Sequence, residues 1–191
     1  MLTVTDLQLE REGRALHPSL TFALDKGQSL WVKGPNGSGK SSLLKALLGW
    51  LPHQGVTISP DTRVAYLGHH TGLAPYLTVW QHCALHPAIQ HFDPMACVQL
   101  LDTLGLGGLA KSHISSLSAG QKQRVSLVPV MLSGASLWLL DEPFTSLDNT
   151  STAQVKLLLS GFLNQGVSMM IVSHDDLSDW ATHTLSMGDV C

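Results

Sequence analysis

The feature that most constrains this chain is a glycine-rich stretch, GPNGSGKS, at positions 34–41. It follows the apolar run Ser29–Lys33 and leads into leucines at helical spacing, which predicts a strand, a tight loop and a helix in that order. The stretch fits the pattern G-x-x-x-x-G-K-S/T at every fixed position. Backbone N–H groups of such a loop surround phosphate oxygens at the positive end of the following helix. The sequence therefore predicts an α/β fold of the P-loop NTPase type.

Residues of this loop are the first candidates for nucleotide contacts. Lys40 is expected to neutralise the β- and γ-phosphates, and the Ser41 hydroxyl is expected to hold Mg²⁺. The alternative is a glycine-rich turn without a ligand, which the lysine, the hydroxyl, the strand and the helix together disfavour. The predicted phosphate-binding residues are Gly34, Pro35, Asn36, Gly37, Ser38, Gly39, Lys40, Ser41 and Ser42.

Two adjacent carboxylates follow a second apolar run. SLWLL at positions 136–140 reads as a strand covered on both faces, and it ends in Asp141 and Glu142. In a P-loop fold, Asp141 is predicted to reach the Mg²⁺ shell, and Glu142 to polarise a water for attack on the γ-phosphate. The alternative is a solvated pair at a strand end, which becomes improbable downstream of such a loop.

Length and composition limit the remaining possibilities. A chain of 191 residues favours a single domain over residues 1–191, and alternating strands and helices favour a mainly parallel sheet. The formal net charge of -3 disfavours a nucleic acid partner, and a charged fraction of only 13% predicts surfaces that partner subunits cover. Three cysteines without C-x-x-C spacing favour a reducing compartment. From the charged, alternating start and the interrupted apolar runs we expect neither a signal peptide nor a membrane span.

Further motifs resemble those of ATP-binding cassette (ABC) ATPases. LSAGQ at 117–121 is similar to the family signature, PFTSLD at 143–148 resembles its D-loop, and His174 resembles its switch histidine. The resemblance implies ATP hydrolysis with Mg²⁺, catalytic roles for Glu142 and His174, a small antiparallel β-subdomain, and a helical subdomain inserted at about residues 70–130. It adds four residues to the predicted nucleotide contacts: Ser118, Gly120, Gln121 and Asp148.

The signature motif also predicts a second copy of the chain. Ser118 begins a helix, so its hydroxyl and the first-turn N–H groups, including that of Gly120, form an anion site that the chain's own P-loop cannot use. In ABC ATPases this site completes the nucleotide pocket of the opposite subunit. The resemblance therefore implies a head-to-tail homodimer with two bridging ATP molecules.

Three positions depart from the family pattern. His69 stands where most members have the Q-loop glutamine, and we expect it to act near the attacking water; a pH-dependent coupling is the associated hypothesis. Arg11 occupies the approximate place of the aromatic residue that stacks on adenine, and its guanidinium plane can stack as well. Pro129 falls within the signature helix, which it is predicted to kink or end.

Other residue types admit two interpretations. Five histidines fall within 23 residues, and a metal or haem contact is the alternative to the favoured interpretation, a polar partner-facing surface. Trp31, Trp50 and Trp138 are predicted in the core, and Trp80 and Trp180 at a partner surface. Cys97 is predicted to be a small core residue. The five histidines are His69, His70, His82, His86 and His91.

The combination of LGH at 67–69, LSAGQKQRV at 117–125 and DEPFTSLD at 141–148 is similar to the ATPase subunits of cytochrome c maturation haem exporters. This resemblance implies a peripheral subunit on the cytoplasmic face of a bacterial inner membrane, bound to the integral membrane subunits of that system. Three alternatives stay open: the ATPase of an exporter for another small substrate, a soluble ABC ATPase of DNA repair or translation, and a nucleotide-dependent scaffold with little turnover.

Overall fold

The computed structural model describes residues 2–11, 14–15, 19–51, 54–69 and 72–188, and only the backbone of Glu10, Arg11, Arg14 and Ala15. The strands are β1 Leu2–Leu7, β2 Glu10–Arg11, β3 Arg14–Ala15, β4 Leu20–Leu24, β5 Ser29–Lys33, β6 Val56–Ile58, β7 Val64–Leu67, β8 Leu137–Asp141, β9 Ser168–Val172 and β10 His183–Ser186. The helices are α1 Lys40–Leu47, α2 Val79–Leu85, α3 Pro94–Thr103, α4 Ala119–Leu132 and α5 Asn149–Asn164, with 3₁₀ turns at Gly107–Leu109 and Ile114–Ser116.

A five-stranded parallel sheet forms the centre of the molecule. Its order is β10-β5-β9-β8-β7, and every neighbouring pair is parallel. Strands β8 and β9 are buried along their whole length, as their continuous apolar sequences predict. The carboxyl ends of parallel strands meet at one edge, so this topology places the loops after β5, β8 and β9 side by side.

The two faces of this sheet face different apolar clusters. Trp31, Trp138 and Ile171 point to one side, where they pack with residues of α2 to α5. Their alternating neighbours, such as Val32 and Leu139, point to the other side, where α1 and the three-stranded antiparallel sheet β4-β1-β6 lie. The predicted parallel core with a small antiparallel β-subdomain is confirmed.

Three helices begin at side-chain caps, and the predicted helix start at Ser118 is one of them. The side chains of Asp93, Ser118 and Asp148 accept hydrogen bonds from first-turn N–H groups of α3, α4 and α5. Pro129 does not end α4, which continues to Leu132. At the C-terminal end of this helix, the Ser133 N–H donates to the Val130 carbonyl.

Two predictions about aromatic and histidine side chains were wrong. Trp50 is 61% exposed, because α1 ends at Leu47 and Gly49, at φ 72°, turns the chain out of the helical path. His82 is 4% exposed, so it belongs to the interior and not to a polar surface.

Trp31, Trp138 and Cys97 are buried, which confirms their prediction as core residues. Trp80 and Trp180 are half-buried and pack against the core, and their contact with a partner stays a prediction. His70 lies outside the described residues. Among the residues that the structure describes, no group of three or more His, Cys, Asp or Glu side chains is placed to hold a metal ion.

None of the helices in the described ranges combines the length and the apolar character that crossing a bilayer requires.

Candidate functional site

The P-loop joins β5 to α1 and places Lys40 at the first position of the helix. Gly39 precedes it at φ 94°, a left-handed conformation that glycine adopts without strain. The Lys40 ammonium donates to the carbonyl oxygens of Gly34 at 2.7 Å and Pro35 at 2.9 Å. Burial lowers the pKa of Lys40, while the nearby carboxylates of Glu142 and Asp141 act in the opposite direction. The lysine is thus held inside its own loop, facing two acids.

The loop leaves one polar atom without a partner. The Ser38 hydroxyl is buried and makes no hydrogen bond within the described residues. Buried hydroxyls are normally paired, so this group fits a ligand atom that accepts or donates a hydrogen bond. A Cβ at Gly34 would collide with the Met187 carbonyl, which explains why glycine begins the loop. A phosphate oxygen fits both the orphaned hydroxyl and the lysine.

Two acids end β8 at the same edge of the sheet. Asp141 is the last residue of the strand and is 3% exposed. Glu142 follows at φ 55°, a left-handed conformation uncommon for a non-glycine residue, and its N–H donates to the Val172 carbonyl at 2.9 Å. Burial raises the pKa of the Glu142 carboxyl, and contacts from His174 oppose the shift. Two carboxyl groups therefore lie side by side in a partly dry site.

His174 contacts Glu142 through its ring and its backbone. The ring Nε2 lies 3.5 Å from Glu142 Oε1, and the His174 N–H donates to Oε2 at 3.4 Å. The two side chains are 55% and 14% exposed, so the histidine covers the more buried acid. The loop that carries His174 is fixed by Trp31, whose indole N–H donates to the Ser173 carbonyl at 3.0 Å.

These groups line one cleft of about 660 Å³. Of the predicted site residues, the cleft brings together Asn36, Gly37, Gly39, Lys40, Ser41, Ser42, His69, Asp141, Glu142 and His174. Gly34, Pro35 and Ser38 lie in the same loop without lining the cleft. Side chains from the D-loop segment, including Phe144 and Thr145, also line it, and sequence reasoning had not assigned them.

The signature residues lie apart from this cleft. Ser118 is exposed at the start of α4, where its hydroxyl accepts from the Gln121 N–H at 3.2 Å and its own N–H donates to Gln121 Oε1 at 2.9 Å. Gly120 packs against the D-loop, because a Cβ there would lie 2.9 Å from the Ser146 carbonyl oxygen. Asp148 is exposed and caps α5, and the hydrogen bond from Ser151 lowers its pKa. The chain's own fold does not bring Ser118, Gly120, Gln121 and Asp148 to its P-loop.

The Arg11 side chain lies outside the described residues, although its backbone belongs to β2.

Sequence reasoning missed Gln123, which contacts the loop after β8 from α4. Its side-chain amide donates to the carbonyls of Glu142 at 3.1 Å and Pro143 at 3.0 Å. A glutamine among the buried residues of an apolar helix is the signal that could have revealed it.

A P-loop facing a buried Asp-Glu pair at the carboxyl edge of a parallel sheet defines a nucleoside triphosphate-binding protein. The family model for ABC transporters matches residues 18–145. The chain belongs to this family, and it is therefore a protein that binds and hydrolyses ATP.

Two relatives and one solved structure show how far the similarity extends. The cytochrome c biogenesis ATP-binding export protein CcmA of Ruegeria pomeroyi is 38% identical over 177 residues, covering 92% of this chain and 86% of the relative. CcmA of Pseudomonas savastanoi pv. phaseolicola is 38% identical over 194 residues, covering 93% and 89%. A solved ATP-binding subunit of an ABC transporter superposes with a TM-score of 0.85 at 22% identity, covering 97% and 85% of the two chains. That structure supports the fold alone.

Proposed function

We propose that this chain is the ATPase subunit of an ABC translocase that exports or hands over haem in cytochrome c biogenesis. The observation that carries the proposal is 38% identity to cytochrome c biogenesis ATP-binding export proteins over more than nine-tenths of the chain. The proposed protein is peripheral to the cytoplasmic face of a bacterial inner membrane. It associates there with integral membrane subunits that form the substrate path.

The geometry supports a division of roles within the cleft. Loop N–H groups and Lys40 bind the phosphates, and the lysine exchanges its carbonyl partners for phosphate oxygens. Ser41 and Asp141 are the residues that would hold Mg²⁺, since a hydroxyl and a buried carboxylate are hard oxygen ligands that line the same cleft. The ion would neutralise charge on the β- and γ-phosphates.

Glu142 is the proposed base. Its raised pKa keeps its basicity above that of a solvated carboxylate, and His174 holds its orientation through ring and backbone. His69 lines the cleft and is proposed to act near the attacking water, in place of a glutamine.

The location of the signature supports a homodimer as the working state. Ser118 and Gly120 do not line the cleft, and Ser118 is exposed at the N-terminus of a 14-residue helix. A helix N-terminus attracts anions, so a second copy can present it to a γ-phosphate held by the first. ATP then bridges two chains, and hydrolysis removes the group that made the bridge.

Glu142→Gln tests the assigned base and the dimer together. The amide keeps the shape of the carboxyl but cannot accept a proton, so we expect turnover to fall by about 100-fold or more while ATP stays bound. With Mg-ATP, analytical ultracentrifugation should show a dimer that the wild type forms only transiently. Asp61→Asn, an exposed acid, is the matched control. Normal hydrolysis by Glu142→Gln would contradict the base assignment, and a monomer under all nucleotide conditions would contradict the dimer.

The membrane partners require a separate experiment. A tagged chain is extracted from membranes with mild detergent, and the co-purifying proteins are identified by mass spectrometry. We expect integral membrane subunits whose complex binds haem. Subunits that bind another small substrate would favour a different exporter, and recovery with ribosomes or DNA-repair proteins would contradict transport.

A further inference from the structure

Gln123 links the signature helix to the loop that carries the proposed base. It lies in α4, five positions after Ser118, and is 8% exposed. Its side-chain amide donates to two consecutive backbone carbonyls, those of Glu142 at 3.1 Å and Pro143 at 3.0 Å. A single buried amide nitrogen therefore donates to both carbonyl groups that the turn after β8 directs toward α4.

These hydrogen bonds fall where the backbone is strained. Glu142 has φ 55°, and a non-glycine residue keeps such a conformation only where its surroundings hold it. On one side, the Glu142 N–H donates to Val172 of β9 at 2.9 Å. On the other, the Glu142 carbonyl accepts from Gln123 at 3.1 Å and from the Thr145 N–H, within the turn itself, at 3.3 Å. The bonds with Val172 and Gln123 tie the two peptide groups that flank the Glu142 Cα to β9 and to α4, and so set the direction in which its side chain leaves the backbone.

A second contact joins the same two segments. Gly120 packs against the Ser146 carbonyl so closely that a Cβ would approach that oxygen to 2.9 Å. Ser146 also has a left-handed backbone, at φ 66°. The first turns of α4 thus contact the loop at 142–146 in two places, and a displacement of the helix must displace the loop with it.

We propose that Gln123 is a positioning residue for hydrolysis: it fixes the backbone of Glu142 and transmits the position of the signature helix to that carboxylate. This inference rests on the proposed role of Glu142 as the base. Gln123 reaches only the backbone of that segment and does not line the cleft, so it acts on the chemical step and not on ATP binding.

Gln123→Met is the first test, on the full chain with Mg-ATP. Methionine has a similar length and packs well but donates no hydrogen bond. We expect kcat to fall by about tenfold or more, while KM and the Kd for ATP change by less than about twofold. Gln154→Met, on the exposed face of α5, is the matched control. A kcat of more than half the wild-type value, or a Kd that rises as much as kcat falls, would overturn the proposal.

Gln123→Glu separates the effect of the hydrogen bond on kcat from the effect of side-chain packing. Its shape is that of glutamine, and burial beside two carbonyl oxygens raises the pKa of such a carboxyl. Protonated, it donates one hydrogen bond to the carbonyl pair; ionised, it donates none and repels them. At about pH 6 we expect its kcat to exceed that of Gln123→Met by about threefold or more. A kcat equal to or below that of Gln123→Met would overturn the proposed hydrogen bond.

The same assay separates this inference from the proposed function. If Glu142→Gln abolishes turnover and Gln123→Met does not slow it, the positioning role fails and the base assignment stands. If Glu142→Gln turns over normally, the assignment of the base fails, and the positioning role fails with it.

Discussion

The signature face is the N-terminal end of α4 around Ser118 and Gly120. It differs from the cleft in how many of its functional groups a single chain brings together. In the cleft, Lys40, Asp141 and Glu142 lie within electrostatic reach of one another, are largely withdrawn from solvent, and have a histidine over them. At the signature face, Ser118 is exposed and its hydrogen bonds are made within its own capping box. The cleft is assembled by one chain, whereas the signature face offers an anion-attracting helix end with Lys122 one turn into the helix.

This difference indicates which step we propose that each region controls. Buried, mutually positioned charges act on bound phosphates and on a water molecule. An exposed helix N-terminus adds a modest attraction that matters only when a second surface excludes water. Changes in the cleft should therefore affect ATP binding and chemistry directly, and changes at the exposed Ser118 end of α4 should act through assembly without weakening ATP binding by the single chain.

Lys40→Ala should have the largest effect. It removes the cation that balances two acids and the phosphates, so we expect the affinity for ATP to fall by about 100-fold or more, or about 3 kcal/mol. Isothermal titration with ATP measures this directly. Lys45→Ala, at the exposed end of the same helix, is the control. Retained affinity in Lys40→Ala would show that the cleft is not the nucleotide site.

Ser118→Asp should have the next largest effect and act through assembly. Aspartate caps a helix as well as serine does, so α4 keeps its start, but its charge repels a terminal phosphate. We expect turnover to fall by about 50-fold, or about 2 kcal/mol, with the Kd of the monomer for ATP unchanged. Gln99→Glu adds an equal charge on exposed α3 as the control. Unimpaired dimerisation in the Glu142→Gln background would contradict the proposed cross-subunit role.

Most of the central fold could be predicted from the sequence. The runs at 29–33 and 136–140 are apolar throughout because both faces of the sheet are covered, and Asp93, Ser118 and Asp148 mark helix starts by their capping chemistry. Short elements were missed. Strand β10 has mostly exposed, polar residues and exists because β5 pairs with it. Helix α2 has only seven residues, and the capping box of Thr78 and Gln81 is the signal in the sequence that marks its start.

The site was predicted to the extent that motifs encode it. The P-loop and the Asp-Glu pair carry their chemistry in consecutive residues, so sequence reasoning found them. Gln123 acts on a backbone 19 positions away, and only the packing of α4 against the loop after β8 reveals that contact. Trp50 was misassigned for a related reason, because helical periodicity was extended past Leu47, where the helix ends.

His82 provides a prediction for stability on the signature side. It lies in α2, which packs against α4, and its Nε2 finds no hydrogen-bond partner within the described residues. Burial, assisted by the neighbouring His86, lowers the pKa of His82 to about 4. The unfolded chain takes up a proton near pH 6.5 and the folded chain does not, so stability should fall as the pH falls through this window.

The loss from His82 should be about 2 kcal/mol between about pH 7 and about pH 5, measured as the free energy of unfolding in urea. His82→Leu should remove this part of the pH dependence, because leucine has no site for the proton. His91→Gln, at an exposed histidine, is the control and should leave it in place. An unchanged pH dependence in His82→Leu would show that His82 is not the group responsible.

Trp50→Ala should have the smallest effect, because most of this side chain is exposed to solvent. Trp50 lies just beyond the end of α1, 61% exposed, with its ring edge-on to Tyr66 at 5.3 Å between centroids. Losing that contact should cost about 0.5–1 kcal/mol of stability. Trp138→Ala is the contrast, because it empties a buried site and should cost about 3–5 kcal/mol. A loss at Trp50 as large as that at Trp138, measured by thermal unfolding, would contradict the exposed placement of this side chain.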